Sequence, residues 1–482
     1  MWRYSRQQNF TGGENRQLTP EFVADNQVIV AGNCIITEEG LLQTRLGKTA
    51  GPDALGTGAV ISVHRYVKED GNGYLLAQFG SSLYHKAYQP GGAWSGAWTL
   101  TKEVVGAQKL RSVTWRNKLI LTNGAYNPFT FDGTTCTDLG GSPPKSKYIA
   151  VYAGRLWFVD SSYPNLVRFS DLEDYNVWDA LNVINVRDGD GDTISGLAPL
   201  DGGLVITKYN SVWALYGTNI SNMRLTTSPI SEHAGCYAPD TLLTSARIFM
   251  GKDGLYTFDL ASVRRLPPTH DVIINSIQWP QRQGAFAAYQ SLYNRVIVSF
   301  PDTARTTLCV DLKFGCITSW SGLNVKSYVV PDAAGDSQEL IIGDATNGKL
   351  YLLNNHDNDD GTAIETLIWT AYRDMGGVRD KVFRMFQPEV EAINAMQSSI
   401  NYYYDVDYNA VSGVNPFSAS VNSVLYWNSG KWNETAWGPV PRINDALWMH
   451  SARGKRVSYG IKSIDRIKLI GYTTKFREVG II

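Results

Sequence analysis

The chain has 482 residues, 44 Lys and Arg against 45 Asp and Glu, 43% hydrophobic residues, 26 Tyr, 14 Trp and 45 Gly. That length allows two or three domains with a large core and excludes a small stapled scaffold. A net charge of −1 with no long Lys/Arg run excludes a protein that grips nucleic acid through many phosphates, and the aromatics and glycines point to an all-β chain.

In chain order, residues 1–50 read as an N-terminal extended arm ending in a hairpin. Thr11-Gly12-Gly13 and Leu18-Thr19-Pro20 interrupt it, Asn26 to Ile36 is largely apolar, and Glu38-Glu39-Gly40 turns the chain into Leu41 to Gly47. Such an arm would pack on the domain that follows or reach a neighbouring subunit. Met1 to Arg6 carries no apolar signal segment, so no secretory leader is expected, and no window reaches the roughly 18–20 apolar residues that span a bilayer.

Residues 51–356 repeat one pattern: an apolar strand, a Gly/Asn/Asp turn, an aromatic-rich strand and a polar loop. Tyr74 to Tyr84, Arg155 to Asp160, Leu204 to Leu215 and Ile248 to Phe258 are four instances. Units starting near residues 57, 109, 147, 192, 230, 283 and 325 have a period of roughly 40–50 residues, the size of one four-stranded propeller blade. The expectation is a β-propeller of about seven blades, with six or eight compatible with the same boundaries. At Asn354 to Gly361 the composition turns sharply polar, which marks a boundary. Residues 357–482 then read as a C-terminal β-sandwich or platform domain, with alternating strands at Ser399 to Tyr408 and Ser463 to Tyr472. Its long loop, roughly Asn409 to Ala446, carries Trp427, Trp432 and Trp437, which suit either docking or an internally packed loop.

Candidate chemistry is sparse. Asp188, Asp190 and Asp192 alternate with glycines in Arg187 to Asp192, a pattern that can converge on a hard cation, although a solvated turn between blades is the preferred reading. An EF-hand would need Gly at the sixth position and Glu at the twelfth, where Thr193 and Pro199 stand. Asp357, Asp359, Asp360 and Glu365 invite the same idea, with a linker the preferred reading. Gly47-Lys48-Thr49 resembles the end of a phosphate-binding loop, but the first glycine of that motif falls on Leu42. His64, His85, His233, His270, His356 and His450 show no metal-ligand spacing. Cys34, Cys136, Cys236, Cys309 and Cys316 are dispersed and odd in number, which suggests free thiols in a reducing compartment. No G-x-S-x-G elbow and no repeated sialidase box occurs, whereas a spatial pair of carboxylates for glycoside hydrolysis would leave no sequence signature. No catalytic residue, cofactor or firm metal ligand is therefore assigned, and the chain is expected not to be an enzyme.

Several segments carry a family likeness. Asn9-Phe10-Thr11-Gly12-Gly13, Asp25-Asn26-Gln27, Asn33 to Gly47, Asp188 to Leu200, Ser211 to Gly217, Glu232 to Cys236 and Gly251 to Tyr256 resemble the tail nozzle family of short-tailed bacteriophages. Its members are also called tail tubular protein B or packaged-DNA stabilisation proteins. The resemblance implies a virion structural protein: a homo-oligomeric ring, usually a hexamer, that continues the DNA channel below portal and adaptor and retains packaged DNA. The implied partners are adaptor or head-to-tail connector proteins, tail fibres or spikes, and genomic DNA passing through the lumen without sequence-specific contacts. The implied location is the virion tail, assembled in the host bacterial cytoplasm. The alternative is a carbohydrate-binding or glycan-cleaving propeller acting in host recognition.

Overall fold

A computed structural model describes residues 1–51, 53–89, 93–94, 96–103, 108–329, 340–377, 379–393, 397–407, 417–422 and 448–479. The loop bearing Trp427, Trp432 and Trp437 lies outside these residues.

Seven antiparallel sheets follow one another between residues 60 and 356, each begun by the strand nearest a common axis. Those first strands are Val60–Val67, Arg111–Trp115, Ser146–Tyr152, Ile194–Leu200, Ala238–Leu243, Phe286–Gln290 and Val325–Val329. Each packs beside the next, and Val325–Val329 packs back against Val60–Val67, closing the circle. The chain is thus an all-β protein built on a seven-bladed β-propeller.

The core explains why a ring forms. In the fourth blade every residue of Gly203–Lys208 is buried. Leu204 and Ile206 point into a cluster with Trp157, Val159 and Phe169 of the third blade, whereas Val205 points into one with Phe249 and Phe258 of the fifth. Alternate residues on a strand face opposite sides of the sheet, so a strand apolar on both faces needs a neighbour on each side. The third blade repeats this logic: Trp157 and Val159 face the fourth blade, while Leu156 and Phe158 face the second. Every pair of adjacent blades encloses its own cluster, including Val60, Leu75 and Tyr88 against Ile341 and Leu350 where the seventh blade meets the first. Each Leu or Phe so buried stabilises the ring by roughly 1.5–3 kcal/mol.

The seventh blade takes its outer strand from the start of the chain. Gly47–Ala50 pairs antiparallel with Leu350–His356, so the two ends of the propeller segment are hydrogen-bonded to each other.

Residues 1–50 do not stand apart as an arm. The hairpin is present, Cys34–Ile36 with Leu42–Thr44, but the segment is divided between two sheets and the propeller. Arg3–Gln7 and Leu42–Thr44 pair with Ile467–Glu478, Gln27–Gly32 pairs with Thr366–Thr370 and meets the sixth blade at Gly32, and Gly47–Ala50 joins the seventh blade. Two sheets thereby face each other. One runs through Gln27–Gly32, Thr366–Thr370, Val457–Ser463, Gln397–Val406 and Phe417–Asn422, and the other through Trp448–Gly454, Lys381–Ala392 and Ile467–Glu478. Phe10, Val28, Ile36 and Leu42 from the N-terminal segment share their core with Phe383, Phe386, Tyr459 and Phe476. The sandwich is therefore C-terminal in bulk but completed by N-terminal strands, because its apolar faces need more strands than residues 357–482 supply.

Sandwich and propeller share backbone pairing. Gly32 bridges Ser319 in the outer strand of the sixth blade, so one sheet runs from that blade into the sandwich. Two short helices, Asp271–Ser276 and Trp279–Gln283, connect the fifth and sixth blades; no helix among the described residues is long and apolar enough to cross a membrane.

Candidate functional site

The aspartate run lies in the link between the third and fourth blades. Gly189 and Gly191 both take positive φ, 82° and 73°, which lets the chain fold tightly over the end of the fourth blade. The three carboxylates have separate fates. Asp188 is exposed and accepts from the Gly189 N–H at 3.0 Å. Asp190 pairs at 2.8 Å with the fully buried Lys208 ammonium, which also donates to the Arg187 carbonyl at 3.0 Å. Asp192 accepts from the Asn210 N–H at 3.0 Å and the Ser211 hydroxyl at 3.2 Å. Burial alone would raise the Asp190 carboxyl, but the Lys208 bond and the Asp192 N–H outweigh it and hold it below the usual carboxylate range. The alternative of a cation shared by Asp188, Asp190 and Asp192 is not what the fold builds: two of the three are spent on structural donors in the turn between blades. No group of ligand side chains fit to hold a metal ion occurs among the described residues.

The second acidic stretch is likewise divided. Asp359 takes a two-point fork from Arg45 at 3.0 and 2.6 Å, Asp357 pairs with Arg466 at 2.5 Å, and Glu365 pairs with Lys462 at 2.8 Å. Gly47-Lys48-Thr49 forms the closing strand of the seventh blade, and the Lys48 ammonium sits 4.4 Å above the Tyr351 ring. His64 is buried between the hydroxyls of Ser112 and Ser62, at 2.8 and 2.9 Å; burial, with help from the Lys109 charge, pushes its pKa down to about 3. All five cysteines are free, and burial pushes the thiols of Cys236, Cys309 and Cys316 up to about 12, far from reactive thiolates.

Two other charged sites emerge only in three dimensions. The first is the seam between sandwich and propeller. Arg45, 1% exposed, directs all its donors inward: Nε to Asn33 Oδ1 at 3.1 Å, Nη1 to Leu46 O at 3.1 Å and to Asp359, and Nη2 to Ser321 O at 3.1 Å and to Asp359. Nearby, the fully buried Glu14 accepts from the Ser319 N–H and hydroxyl at 3.0 and 2.8 Å, pairs with Arg16, and lies 3.7 Å from His270. Burial would raise its carboxyl, but His270 and Arg16 overcome this and hold it at about 2.

The second is the mouth of the propeller axis, at the end where the first strands begin. Asp240 of the fifth blade accepts from Arg111 Nη2 at 2.8 Å and from Lys109 at 3.1 Å, both from the second blade. The second and fifth blades stand three steps apart round the ring, so this bridge crosses the axis. Arg111 also lies 4.9 Å over the Tyr148 ring of the third blade, and Lys109 lies 5.8 Å over Phe286 of the sixth. Burial opposes the Asp240 charge, yet Lys109 and Arg111 prevail and keep the carboxyl at about 2. Sequence reasoning missed this cluster. The available signal was positional: Arg111, Tyr148, Asp240, Phe286 and Lys326 all fall in the first few residues of a repeat's first strand.

No family model and no curated protein matches the chain. Among solved structures it is similar to the Pan2 WD40 domain of Neurospora crassa, at 11% identity and TM-score 0.40 over 64% of this chain and 94% of that one. It is similar also to the computationally designed Ika8 protein, at 11% and 0.39 over 64% and 99%, and to U3-55K, at 9% and 0.41 over 64% and 98%. At such identities none of them lends this chain a ligand or a partner.

Proposed function

We propose that this chain is a non-catalytic structural subunit of a bacteriophage tail, a nozzle ring protein that continues the DNA channel, retains packaged DNA and anchors other tail parts. The observation that carries the reading is how the chain spends its buried charge. Glu14, Arg45 and Lys208 each tie one chain segment to another. Buried ions committed in this way serve architecture, since an acid, base or nucleophile needs a group left available to a substrate. The segments that resemble the nozzle family support the same reading, for Gly13, Asn33, Cys34 and Arg45 within them meet the sixth blade at the seam described above. In this proposal the subunit assembles with identical copies, usually six, around a lumen lying between subunits. The propeller axis itself is bridged by side chains. Adaptor proteins and tail fibres or spikes are its neighbours in the virion.

Native mass spectrometry with negative-stain imaging of the purified full chain tests the proposal. A closed ring with a central hole is the expected result. A monomer at every concentration, above all one that binds glycans, would overturn it in favour of a host-recognition propeller.

A further inference from the structure

Among the described residues, the mouth of the propeller axis holds two cations on one carboxylate with a third cation beside them. Lys109 and Arg111 pair there with Asp240, and the charge of Lys326, on the inner strand of the seventh blade, acts on Lys109. Lys326, half-buried on the inner strand Val325–Val329 of the seventh blade, has no hydrogen-bond or ion-pair partner among the described residues. Burial lowers the Lys109 pKa, and the Arg111 and Lys326 charges push the same way against Asp240. An ammonium kept partly out of water without a counter-ion is costly, and its cost falls when an anion arrives.

The surroundings define that anion. Because Arg111 reaches Asp240 directly across the axis, the mouth is no wider than two side chains, which excludes a double helix and suits one extended chain. Tyr148 and Phe286 wall the cations with rings, which strengthens pairing by keeping water back. The resident ligand of Arg111 and Lys109 is already a carboxylate. A second carboxylate, the group this mouth already holds between Lys109 and Arg111, is therefore the occupant the geometry favours.

We propose that the axial mouth is a docking site for an acidic peptide segment of a partner protein, one carboxylate of which pairs with Lys326 and shares Lys109. This does not rest on the ring proposal, since a monomer would bind the same segment.

Fluorescence anisotropy with a labelled hexaglutamate peptide tests it on the full chain. The wild type should bind, and Lys326→Gln should weaken binding about tenfold, the loss of one charge-assisted contact, with the melting temperature unchanged. Lys313→Gln removes the same charge from an exposed turn at the opposite end of the sixth blade and should leave affinity unaltered. Equal weakening by Lys313→Gln would reduce the effect to diffuse surface charge and overturn the proposal. So would an absence of binding, or pyrophosphate displacing the peptide at lower concentration than free glutamate peptide does. If Lys326→Gln fails to fold, Lys326→Arg should retain binding within about threefold, and its loss would overturn the assignment.

Discussion

Arg45 offers the most demanding test of the seam. Its five hydrogen bonds match the five donors of a guanidinium, and its partner Asp359 is 11% exposed. Arg45→Ala leaves a nearly buried carboxylate without a counter-charge and strips donors from the Leu46 and Ser321 carbonyls and the Asn33 side chain. Removing one member of such a pair costs about 3–5 kcal/mol. Arg45→Lys keeps the charge but loses the fork and should cost about 2 kcal/mol. Asp359→Ala should cost less than Arg45→Ala, and the double substitution should cost well under the sum, because the second change removes the charge that the first had orphaned. Urea unfolding followed by tryptophan fluorescence reads this out, with Trp320 as a local reporter 5.6 Å from the guanidinium. A loss below about 1 kcal/mol for Arg45→Ala, or strict additivity with Asp359→Ala, would refute the claim that this pair ties the parts together.

Glu14 sets an acid limit on the same seam. Its folded-state value of about 2 lies below the unfolded 4.5, so the stabilisation is complete above pH 4.5 and is lost as pH falls from there towards 2. That difference is worth about 3 kcal/mol. Glu14→Gln should flatten the fall in melting temperature across this window while lowering stability at neutral pH; an unchanged pH slope would show that other carboxyls govern acid unfolding. Asp190→Asn should cost about 3 kcal/mol by orphaning the buried Lys208, whereas chelators should leave the wild-type melting temperature unmoved, both read by differential scanning fluorimetry. A Cβ on Gly235 would lie 2.4 Å from Lys208 O and 2.5 Å from the N atoms of Asn210 and Ser211, so Gly235→Ala should destabilise by about 2 kcal/mol or more; a melting temperature within a degree of wild type would contradict that packing.

The repeat was legible because propeller blades advertise their turns. Ala153-Gly154 and Arg116-Asn117 adopt the positive φ of tight hairpins, and six of the seven predicted starts fall within a few residues of the first strands. The start near 230 misses Ala238 because Ser231 instead bridges Val212 of the fourth blade, so a long link imitates the opening of a blade. What could not be read were partners distant in sequence. Alternation tells which side of a strand is apolar but not which strand will cover it, and Gly47–Ala50 finds its partner some 300 residues away. The same limit hid the charged sites: Glu14, Arg45, Asp240 and Lys326 stand as single charges in the chain, whereas the adjacent aspartates that drew attention as a group are separated by folding.

The seam has a mechanical consequence. A hinge between domains is a strip where few contacts cross and side chains can exchange partners. Here Thr318 to Ser321 receives the N-terminal segment from several directions at once: the Thr318 hydroxyl and Trp320 Nε1 both donate to Cys34 O, at 2.7 and 2.8 Å, Glu14 grips Ser319, and Asn33 and Arg45 hold Ser321. Gly32 bridges Ser319 with one edge and pairs with Leu367 through the other, so backbone bonding continues from the sixth blade into the sandwich without a gap. Tilting the sandwich would break that ladder together with two buried ion pairs, a cost of many kcal/mol set against thermal energy of about 0.6 kcal/mol. Load applied to the sandwich is therefore delivered to the sixth blade, and through the closed ring of seven seams it is shared among all the blades.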